Sequence, residues 1–247
     1  MSDVCIAGLG LIGGSLGMAL RQRGWRVSYV DPAVPFDEAR SAGAADERLE
    51  SPRGPLVVLA TPVDTAVAQL ASLRGTDALV TSVCSVMGTV AAAADSMHFV
   101  AGHPFAGSER SGLAAAHAEL FEGRTWFLAR SDELVERMVS DAGATPVVID
   151  PAEHDRIMAL TSHLPQLVST TLAAMLHDID SRFIGTGAAS MLRLAGSSWD
   201  VWRPVFEANS VNLDAAIEML VASLRNTSAT EFSRANETYG HVPRTFR

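Results

Sequence analysis

Residues 4–13 read VCIAGLGLIG and join an apolar run to a glycine-rich turn. The apolar run predicts a buried strand, and the G-x-G-x-x-G pattern leads directly into an amphipathic helical stretch over residues 11–23. In this context Gly8 permits the tight turn, Gly10 lets the backbone approach a pyrophosphate, and Gly13 allows the helix to pack closely on the strand. The helix N-terminus adds amide donors. The segment predicts a dinucleotide-binding unit, and its context disfavours the alternative of an ordinary glycine-rich turn.

Further positions at the predicted sheet edge belong to the same site. Asp31 ends the second predicted strand, eighteen residues after Gly13. A carboxylate there can accept both ribose hydroxyls and would repel a 2′-phosphate. The residues directly after Asp31 include no arginine, so we expect NAD rather than NADP. Thr61-Pro62 closes the third predicted strand and borders the same crevice. The predicted cofactor contacts are Gly8, Gly10, Leu11, Ile12, Gly13, Asp31, Thr61 and Pro62.

The order of the elements divides the chain into two parts. The first alternates short apolar strands with helices, which is typical of α/β proteins with a doubly wound parallel sheet. After Asp150-Pro151 helical periodicity takes over, and proline suits the first turn of a helix. We expect a Rossmann-type dinucleotide-binding domain over residues 1–150 and an all-helical domain over 151–247. A helical domain of this size has a small core, so we expect its apolar faces to pack on a second copy in a homodimer.

The individual elements follow from the same patterns. Strands are predicted over residues 4–7, 26–30, 56–60, 78–83, 98–101, 125–129 and 146–149. Helices are predicted over residues 11–23, 64–73, 86–95, 132–142, 152–177, 199–224 and 228–239. The stretch 185–187, with two glycines, is interpreted as a loop between helices.

Composition excludes several classes of protein. The 247 residues carry a formal net charge of −9, which argues against a nucleic-acid partner. All nineteen basic residues are arginine, so this chain has no lysine for a Schiff base or a P-loop. Cys5 and Cys84 are too few for a disulfide framework or a thiolate metal cage. No apolar run is long enough to span a bilayer and no signal-like segment opens the chain. We expect a cytoplasmic protein without a metal or a membrane partner.

Three polar clusters carry candidate chemistry. His103 follows a predicted strand in the segment 102–112, GHPFAGSERSG. A histidine before proline in a glycine-rich loop has a restricted backbone and can act as a base toward a substrate hydroxyl. Ser85 follows the fourth predicted strand and can hydrogen-bond beside a nicotinamide. Pro165 predicts a kink in a helix of which one face carries Asp155, Ser162, His163 and Gln166. The remaining histidines, which we interpret as surface or core residues, are His98, His117, His154, His177 and His241.

These motifs, in this order, resemble the prephenate/arogenate dehydrogenase family. The resemblance is carried by the glycine-rich turn and by ATPVD at residues 60–64, Ser85-Val86, HPFAGSERSG at residues 103–112 and SHLP at residues 162–165. It implies NAD-dependent oxidation of a cyclohexadiene at ring C4 with loss of the ring carboxylate as carbon dioxide. It also implies a nucleotide-binding domain followed by a helical dimerisation domain. The implied catalytic residues are His103 and Ser85, and the implied substrate contacts are His163, Arg193, Ser108, Glu109 and Gln166.

The substrate side departs from the family pattern. Ser82, Cys84 and Met87 stand where the family commonly has Asp, Gly and Lys, and Ser190 and Leu192 replace its usual Asp and Thr. We expect prephenate or arogenate as the substrate in aromatic amino acid biosynthesis. The alternative is the ring-amino analogue 4-amino-4-deoxyprephenate. A β-hydroxyacid or imine reductase is disfavoured because hydroxyacid relatives rely on a lysine. A non-catalytic NAD-binding dimer is disfavoured because the candidate catalytic residues are present together.

Overall fold

The computed structural model describes residues 2–107 and 110–242. Its centre is a parallel sheet of six strands in the order β3-β2-β1-β4-β5-β6. These strands are β1 (Asp3–Ala7), β2 (Arg26–Val30), β3 (Glu47–Arg48), β4 (Leu56–Leu59), β5 (Leu79–Ser82) and β6 (Phe99–Val100). The expected Rossmann-type doubly wound sheet is confirmed.

Helices cover both faces of this sheet. They are α1 (Leu11–Gln22), α2 (Phe36–Ser41), α3 (Val63–Ser72) and α4 (Met87–Ala94). Ile6 and Val58 pack in the apolar cluster that contains α1, whereas Cys5 and Val57 pack in the cluster that contains α3 and α4. Burial on both faces explains why the strands are apolar throughout and do not alternate with polar residues.

The strand register brings the cofactor residues together. Ala7 lies opposite Val30 on one side and Leu59 on the other, and Leu59 lies opposite Ser82. Because these strands run parallel, the turns that follow them meet at one edge of the sheet. That edge is where ligands of open α/β sheets bind.

A second sheet has the order β7-β8-β9. Its strands are β7 (Gly102–Pro104), β8 (Thr125–Leu128) and β9 (Thr145–Val148), and α5 (Glu133–Asp141) joins the last two. The prediction that His103 lies in a loop is wrong, because β7 pairs antiparallel with β8 and places His103 opposite Phe127. A three-residue strand whose partner lies more than twenty residues away leaves no periodic signal in the sequence.

The rest of the chain is helical, with two breaks that the periodicity does not show. Its helices are α6 (Pro151–Met158), α7 (Leu164–Met175), α8 (Thr186–Met191), α9 (Trp199–Ala208), α10 (Ser210–Arg225) and α11 (Ala229–His241). A π-helical turn over Ala159–His163 stands between α6 and α7, just before Pro165. The stretch predicted as one helix over 199–224 is divided at Asn209, and the predicted loop over 185–187 is wrong because α8 begins at Thr186.

The helical part has little core of its own. Its buried apolar cluster comprises Ala159, Leu164, Leu213 and Ala216, and α11 has no buried residue. Several large apolar side chains of this part are exposed, among them Met175, Phe183, Trp199, Val211 and Phe232. The helix α11 has 13 residues, and a helix of this length is marginally stable without tertiary packing. Across residues 2–107 and 110–242, no helix combines the length and apolarity needed to cross a membrane.

Candidate active site

A cavity of about 350 Å³ lies between the carboxyl edge of the sheet and the helical part. Residues from both parts line it, namely Ser85, His103, Phe105, Ser162, Gln166, Arg193 and Trp202. Ser85 lies between β5 and α4, and His103 lies on β7. The structure thus brings together the candidate catalytic residues Ser85 and His103 with the candidate substrate contacts Gln166 and Arg193. Ser108 and Glu109, also predicted as substrate contacts, lie outside the described residues.

His103 is the first member of a buried hydrogen-bonded chain. Its Nδ1 lies 2.9 Å from Nε2 of His154, and Nδ1 of His154 lies 2.8 Å from Oδ1 of Asp155. His154 is fully buried, and the two imidazole rings meet edge to face. The sequence interpretation of His154 as a residue without a role in the site is therefore incomplete. Its contact with His103 spans 51 positions, which no local motif encodes.

The first turn of α4 holds the carboxylate of Asp155, the last group of this hydrogen-bonded series. Asp155 accepts hydrogen bonds of 2.8 Å from the backbone amides of Met87 and Gly88. A Cβ at position 88 would lie 2.8 Å from Oδ2 of Asp155, so a larger residue there would displace this oxygen. Two amide donors at the positive end of the helix thus hold both oxygens of this carboxylate. Asp155 thereby links α6 of the helical part to the nucleotide-binding part.

Burial keeps the imidazole of His103 neutral. Desolvation, reinforced by the neighbouring His154 and His163, lowers the pKa of His103 to about 3 from its usual value of 6.5. A neutral imidazole has one ring nitrogen with a lone pair that can accept a proton. The lowered pKa by itself makes His103 a weaker base than an exposed histidine, so its candidacy as a base depends on its position in the cavity.

His163 lies behind the cavity and does not line it. It is fully buried in the π-helical turn, where Nδ1 accepts a hydrogen bond of 3.1 Å from Nδ2 of Asn209. With Nδ1 as the acceptor, Nε2 carries the proton, and that N–H has no hydrogen-bond partner among the described residues. Asn209 also donates to the backbone carbonyl of Asp155 over 2.8 Å. Asn209, the residue between α9 and α10, thus connects His163 to the backbone of α6.

We expect His163 to make the stability of the protein depend on pH. Burial lowers the pKa of His163 to about 4, with His154 adding to the effect and Asp155 opposing it. Between pH 6.5 and 4 the unfolded chain binds a proton at this position and the folded chain does not. The free energy of unfolding should therefore fall with falling pH by up to about 1.4 kcal/mol per unit. Denaturant unfolding at several pH values should show a shallower slope for His163→Asn than for the exposed control His177→Asn. Equal slopes in the two variants would contradict this expectation.

Gln166 and Arg193 line the same cavity as His103. Nε2 of Gln166 donates to the carbonyl of Leu194 over 2.9 Å and to Oγ1 of Thr170 over 3.0 Å. Both amide hydrogens are thus engaged, and the side chain has its carbonyl oxygen left as an acceptor. Arg193 begins a short 3₁₀ turn over Arg193–Gly196 and is the one arginine among the described residues that line the cavity. A guanidinium there can bind a carboxylate in a bidentate manner.

The glycine-rich turn has the geometry that a pyrophosphate requires. Gly8 has a φ of +96°, and a Cβ on Gly13 would lie 2.0 Å from the carbonyl oxygen of Gly8. A Cβ on Gly10, in contrast, would meet no protein atom within 4 Å. Gly8 and Gly13 therefore maintain the turn itself, whereas the space beside Gly10 is open for a ligand. Leu11 and Ile12 follow in the first turn of α1, where amide hydrogens are free of helical partners.

Asp31 and Thr61 lie beside this turn. Oδ2 of Asp31 accepts from the backbone amide of Leu9 over 2.8 Å, which fixes the carboxylate next to the turn. The hydroxyl of Thr61 donates to Oε1 of Gln69 over 2.8 Å, and Pro62 precedes α3. Arg48 of β3 donates to the carbonyl of Asp31 over 3.1 Å. An arginine thus lies near Asp31 in space. The sequence does not predict this contact, because β3 carries no strand signal.

These contacts predict different effects for two glycine substitutions. Gly10→Val should weaken NAD binding by at least about tenfold, because the side chain would fill space needed by the pyrophosphate. Gly10 is the N-cap of α1, where valine is disfavoured, so a small fall in the melting temperature is expected as well. Gly13→Ala should lower the melting temperature, since its Cβ cannot coexist with the carbonyl of Gly8. Calorimetric titration and thermal unfolding of both variants test the assignment. Unchanged NAD affinity in Gly10→Val would place the pyrophosphate elsewhere.

Metal-binding clusters are a further class of site. Within residues 2–107 and 110–242, no group of three or more His, Cys, Asp or Glu side chains is arranged to hold a metal ion. The described polar residues of the cavity are suited instead to proton transfer and to binding an anion.

Comparison with known proteins agrees with this geometry. The family model for the prephenate dehydrogenase nucleotide-binding domain matches residues 16–144, and that for the prephenate dehydrogenase dimerization domain matches residues 150–238. The probable prephenate dehydrogenase NovF of Streptomyces niveus is 33% identical over 93% of this chain and 69% of its own length. Prephenate dehydrogenase of Bacillus subtilis is 31% identical over 83% of this chain. The chain spans only 64% of the length of that Bacillus relative.

Solved structures show the same relationship. Prephenate dehydrogenase from Aquifex aeolicus, solved in complex with hydroxyphenyl propionate and NAD+, has a TM-score of 0.82 and 28% identity over 96% of this chain and 93% of its own. Synechocystis arogenate dehydrogenase, at 24% identity and a TM-score of 0.73 over 96% of this chain and 97% of its own, shares the fold. The two family matches together extend over most of the chain, so the chain belongs to the prephenate dehydrogenase family.

Proposed function

We propose that the chain binds NAD and catalyses the oxidative decarboxylation of a prephenate-type cyclohexadiene, prephenate or arogenate, to the aromatic product in aromatic amino acid biosynthesis. The observation that carries this proposal is that the buried His103 lines one cavity together with Ser85 and Arg193. Membership in the prephenate dehydrogenase family and the complex of the Aquifex relative with NAD+ and hydroxyphenyl propionate support it.

The cofactor site fits NAD on the evidence of this chain's own residues. The open space beside Gly10, the amides that begin α1 and the carboxylate of Asp31 match a pyrophosphate and a ribose with a free 2′-hydroxyl. We propose that Gly8, Gly10, Leu11, Ile12, Gly13, Asp31, Thr61 and Pro62 form this site. When bound, NAD supplies the acceptor for the hydride that leaves ring C4.

The residues of the cavity bind the substrate and remove its proton. Arg193 binds a substrate carboxylate, and Ser85 hydrogen-bonds the substituent at ring C4. The lone pair on Nε2 of His103 takes the proton of that substituent while C4 gives up its hydride. Loss of the ring carboxylate as carbon dioxide then leaves its electron pair in the ring, which becomes aromatic. His163, Ser108, Glu109 and Gln166 complete the proposed substrate contacts, and His163 is fully buried with an Nε2–H that has no partner among the described residues.

A second candidate substrate follows from Gln166. Since both hydrogens of its amide are engaged, the side chain offers an acceptor to the cavity, and an acceptor recognises an N–H donor. This favours a substrate that carries an amino group, either arogenate or the ring-amino analogue 4-amino-4-deoxyprephenate. Prephenate has a keto group where arogenate has its side-chain amino group, and a ring hydroxyl where the 4-amino analogue has its ring amino group, so it offers no N–H donor at either position.

The test is a comparison of initial rates on prephenate, arogenate and the 4-amino analogue, each with NAD and with NADP. NADH formation and release of carbon dioxide are measured together. We expect equimolar NADH and carbon dioxide with at least one of the three dienes, and a higher rate with NAD. Binding of NAD without turnover of any diene would indicate instead the non-catalytic NAD-binding dimer considered above.

We also propose that the chain forms a homodimer through its helical part, with domains over residues 1–150 and 151–247. The dimerization-domain match and the exposed apolar residues of α8 to α11 support this proposal. Sedimentation velocity at micromolar concentration should show a dimer, and a monomer would contradict it. The cytoplasmic location inferred from the sequence stays a prediction.

A further inference from the structure

We propose that His154 and Asp155 are positioning residues that fix the tautomer of His103, so that Nε2 of His103 carries the lone pair that meets the substrate. The inference deepens the proposed function, because it rests on His103 acting as the base. The sequence motifs do not indicate this role. The observation that carries it is the unbroken chain of buried contacts from the cavity to the first turn of α4.

Asp155 sets the direction of the hydrogen bonds that join it to His154 and His103. Asp155 receives two backbone amides, from Met87 and Gly88, and is almost completely buried. An ionised carboxylate can only accept hydrogen bonds. Nδ1 of His154, at 2.8 Å from Oδ1, must therefore be the donor.

The tautomer of His154 in turn determines the tautomer of His103. A neutral His154 with its proton on Nδ1 has a lone pair on Nε2, and that atom can only accept. Nδ1 of His103, 2.9 Å away, must then donate, which leaves the lone pair of His103 on Nε2. In the other tautomer Nε2 would carry a hydrogen and could not take a proton from a substrate. The pair on α6 thus selects the one arrangement of His103 that is competent as a base.

The same hydrogen bonds remain in place after proton transfer. When Nε2 of His103 takes the substrate proton, the ring becomes a cation that still donates through Nδ1 to Nε2 of His154. The edge-to-face contact of the two rings and the packing of Phe127 against both hold this geometry.

Two substitutions at position 154 separate tautomer control from packing. His154→Leu fills space but cannot accept from His103, so we expect kcat to fall about 10²–10⁴-fold, the range that general-base catalysis contributes, with Kd for NAD unchanged. His154→Gln keeps an acceptor oxygen and a donor amide and should recover at least about tenfold of that loss. The exposed His117→Gln is the matched control and should behave as the parent protein.

The tautomer can also be observed directly by ¹⁵N NMR of the histidine-labelled protein without substrate. We expect the His103 signal, assigned by its loss in His103→Asn, to report hydrogen on Nδ1 in the parent protein. In His154→Leu it should shift toward hydrogen on Nε2. An Nε2–H tautomer in the parent protein, or a kcat of His154→Leu within twofold of it, would overturn the inference. Failure of all three dienes to react would refute the proposed function alone, since the tautomer is measured without turnover.

Discussion

Replacement of His103 by asparagine should lower kcat by about 10²–10⁴-fold and leave the affinity for NAD unchanged. Asparagine is similar in size and polarity but cannot accept a proton at neutral pH. His103 is in the cavity and is not among the residues around the glycine-rich turn, so cofactor binding does not depend on it. The measurement is kcat from NADH formation with the best diene, together with calorimetric titration of NAD.

The matched control is His98→Asn, a change of the same kind at an exposed histidine beside β6. It should retain full activity. If His103→Asn turned over within tenfold of the parent protein, proton removal by His103 would be refuted. Loss of NAD affinity together with activity would indicate instead that the substitution disturbs the sheet edge.

Replacement of Arg193 by glutamine should lower kcat/KM by about 10–150-fold, mainly through a higher KM. A hydrogen bond to a charged group contributes about 1.5–3 kcal/mol, which corresponds to that range. The effect is expected in KM because Arg193 holds a carboxylate that is present in both the ground state and the transition state. Steady-state kinetics with the best diene measure both parameters.

Two variants make this prediction specific. Arg193→Lys keeps the charge and loses the planar fork, so we expect an intermediate KM. Arg156→Gln changes an exposed arginine that pairs with Glu153 on α6, outside the cavity, and should leave KM unchanged. An unchanged KM in Arg193→Gln would remove Arg193 from the substrate site, whatever the outcome at His103.

Local signals explain why much of the nucleotide-binding part could be predicted. The strand at Arg26–Val30 is found as predicted, and α1 ends one residue earlier than predicted. Each depends on neighbouring residues in the sequence, namely an apolar run or a glycine-rich turn followed by amphipathic periodicity. The missed strand Glu47–Arg48 has two polar residues at the edge of the sheet and carries no such signal. The π-helical turn before Pro165 was also missed, because helical periodicity does not distinguish it from a kink.

The candidate site likewise has residues that sequence motifs predict and residues that only tertiary contacts place. Ser85, His103 and Arg193 were proposed from motifs, and the structure brings them to one cavity. His154 was missed because its contact with His103 requires the pairing of β7 with β8 and the packing of α6 against both parts. His163 was expected in the site, yet the wider π turn buries it behind the cavity against Asn209. Tertiary contacts over long sequence separations decide these positions, and one sequence does not encode them as a pattern.

The central claim is that Nε2 of His103 removes the proton from the substituent at ring C4. The most direct test is a crystal structure of the protein with NAD and the aromatic product of its best diene. We expect Nε2 of His103 at about 2.6–3.2 Å from the ring substituent opposite the side chain. The nicotinamide should lie against the ring carbon that bears this substituent. A ring bound with that substituent turned away from His103, and facing another base, would contradict the claim.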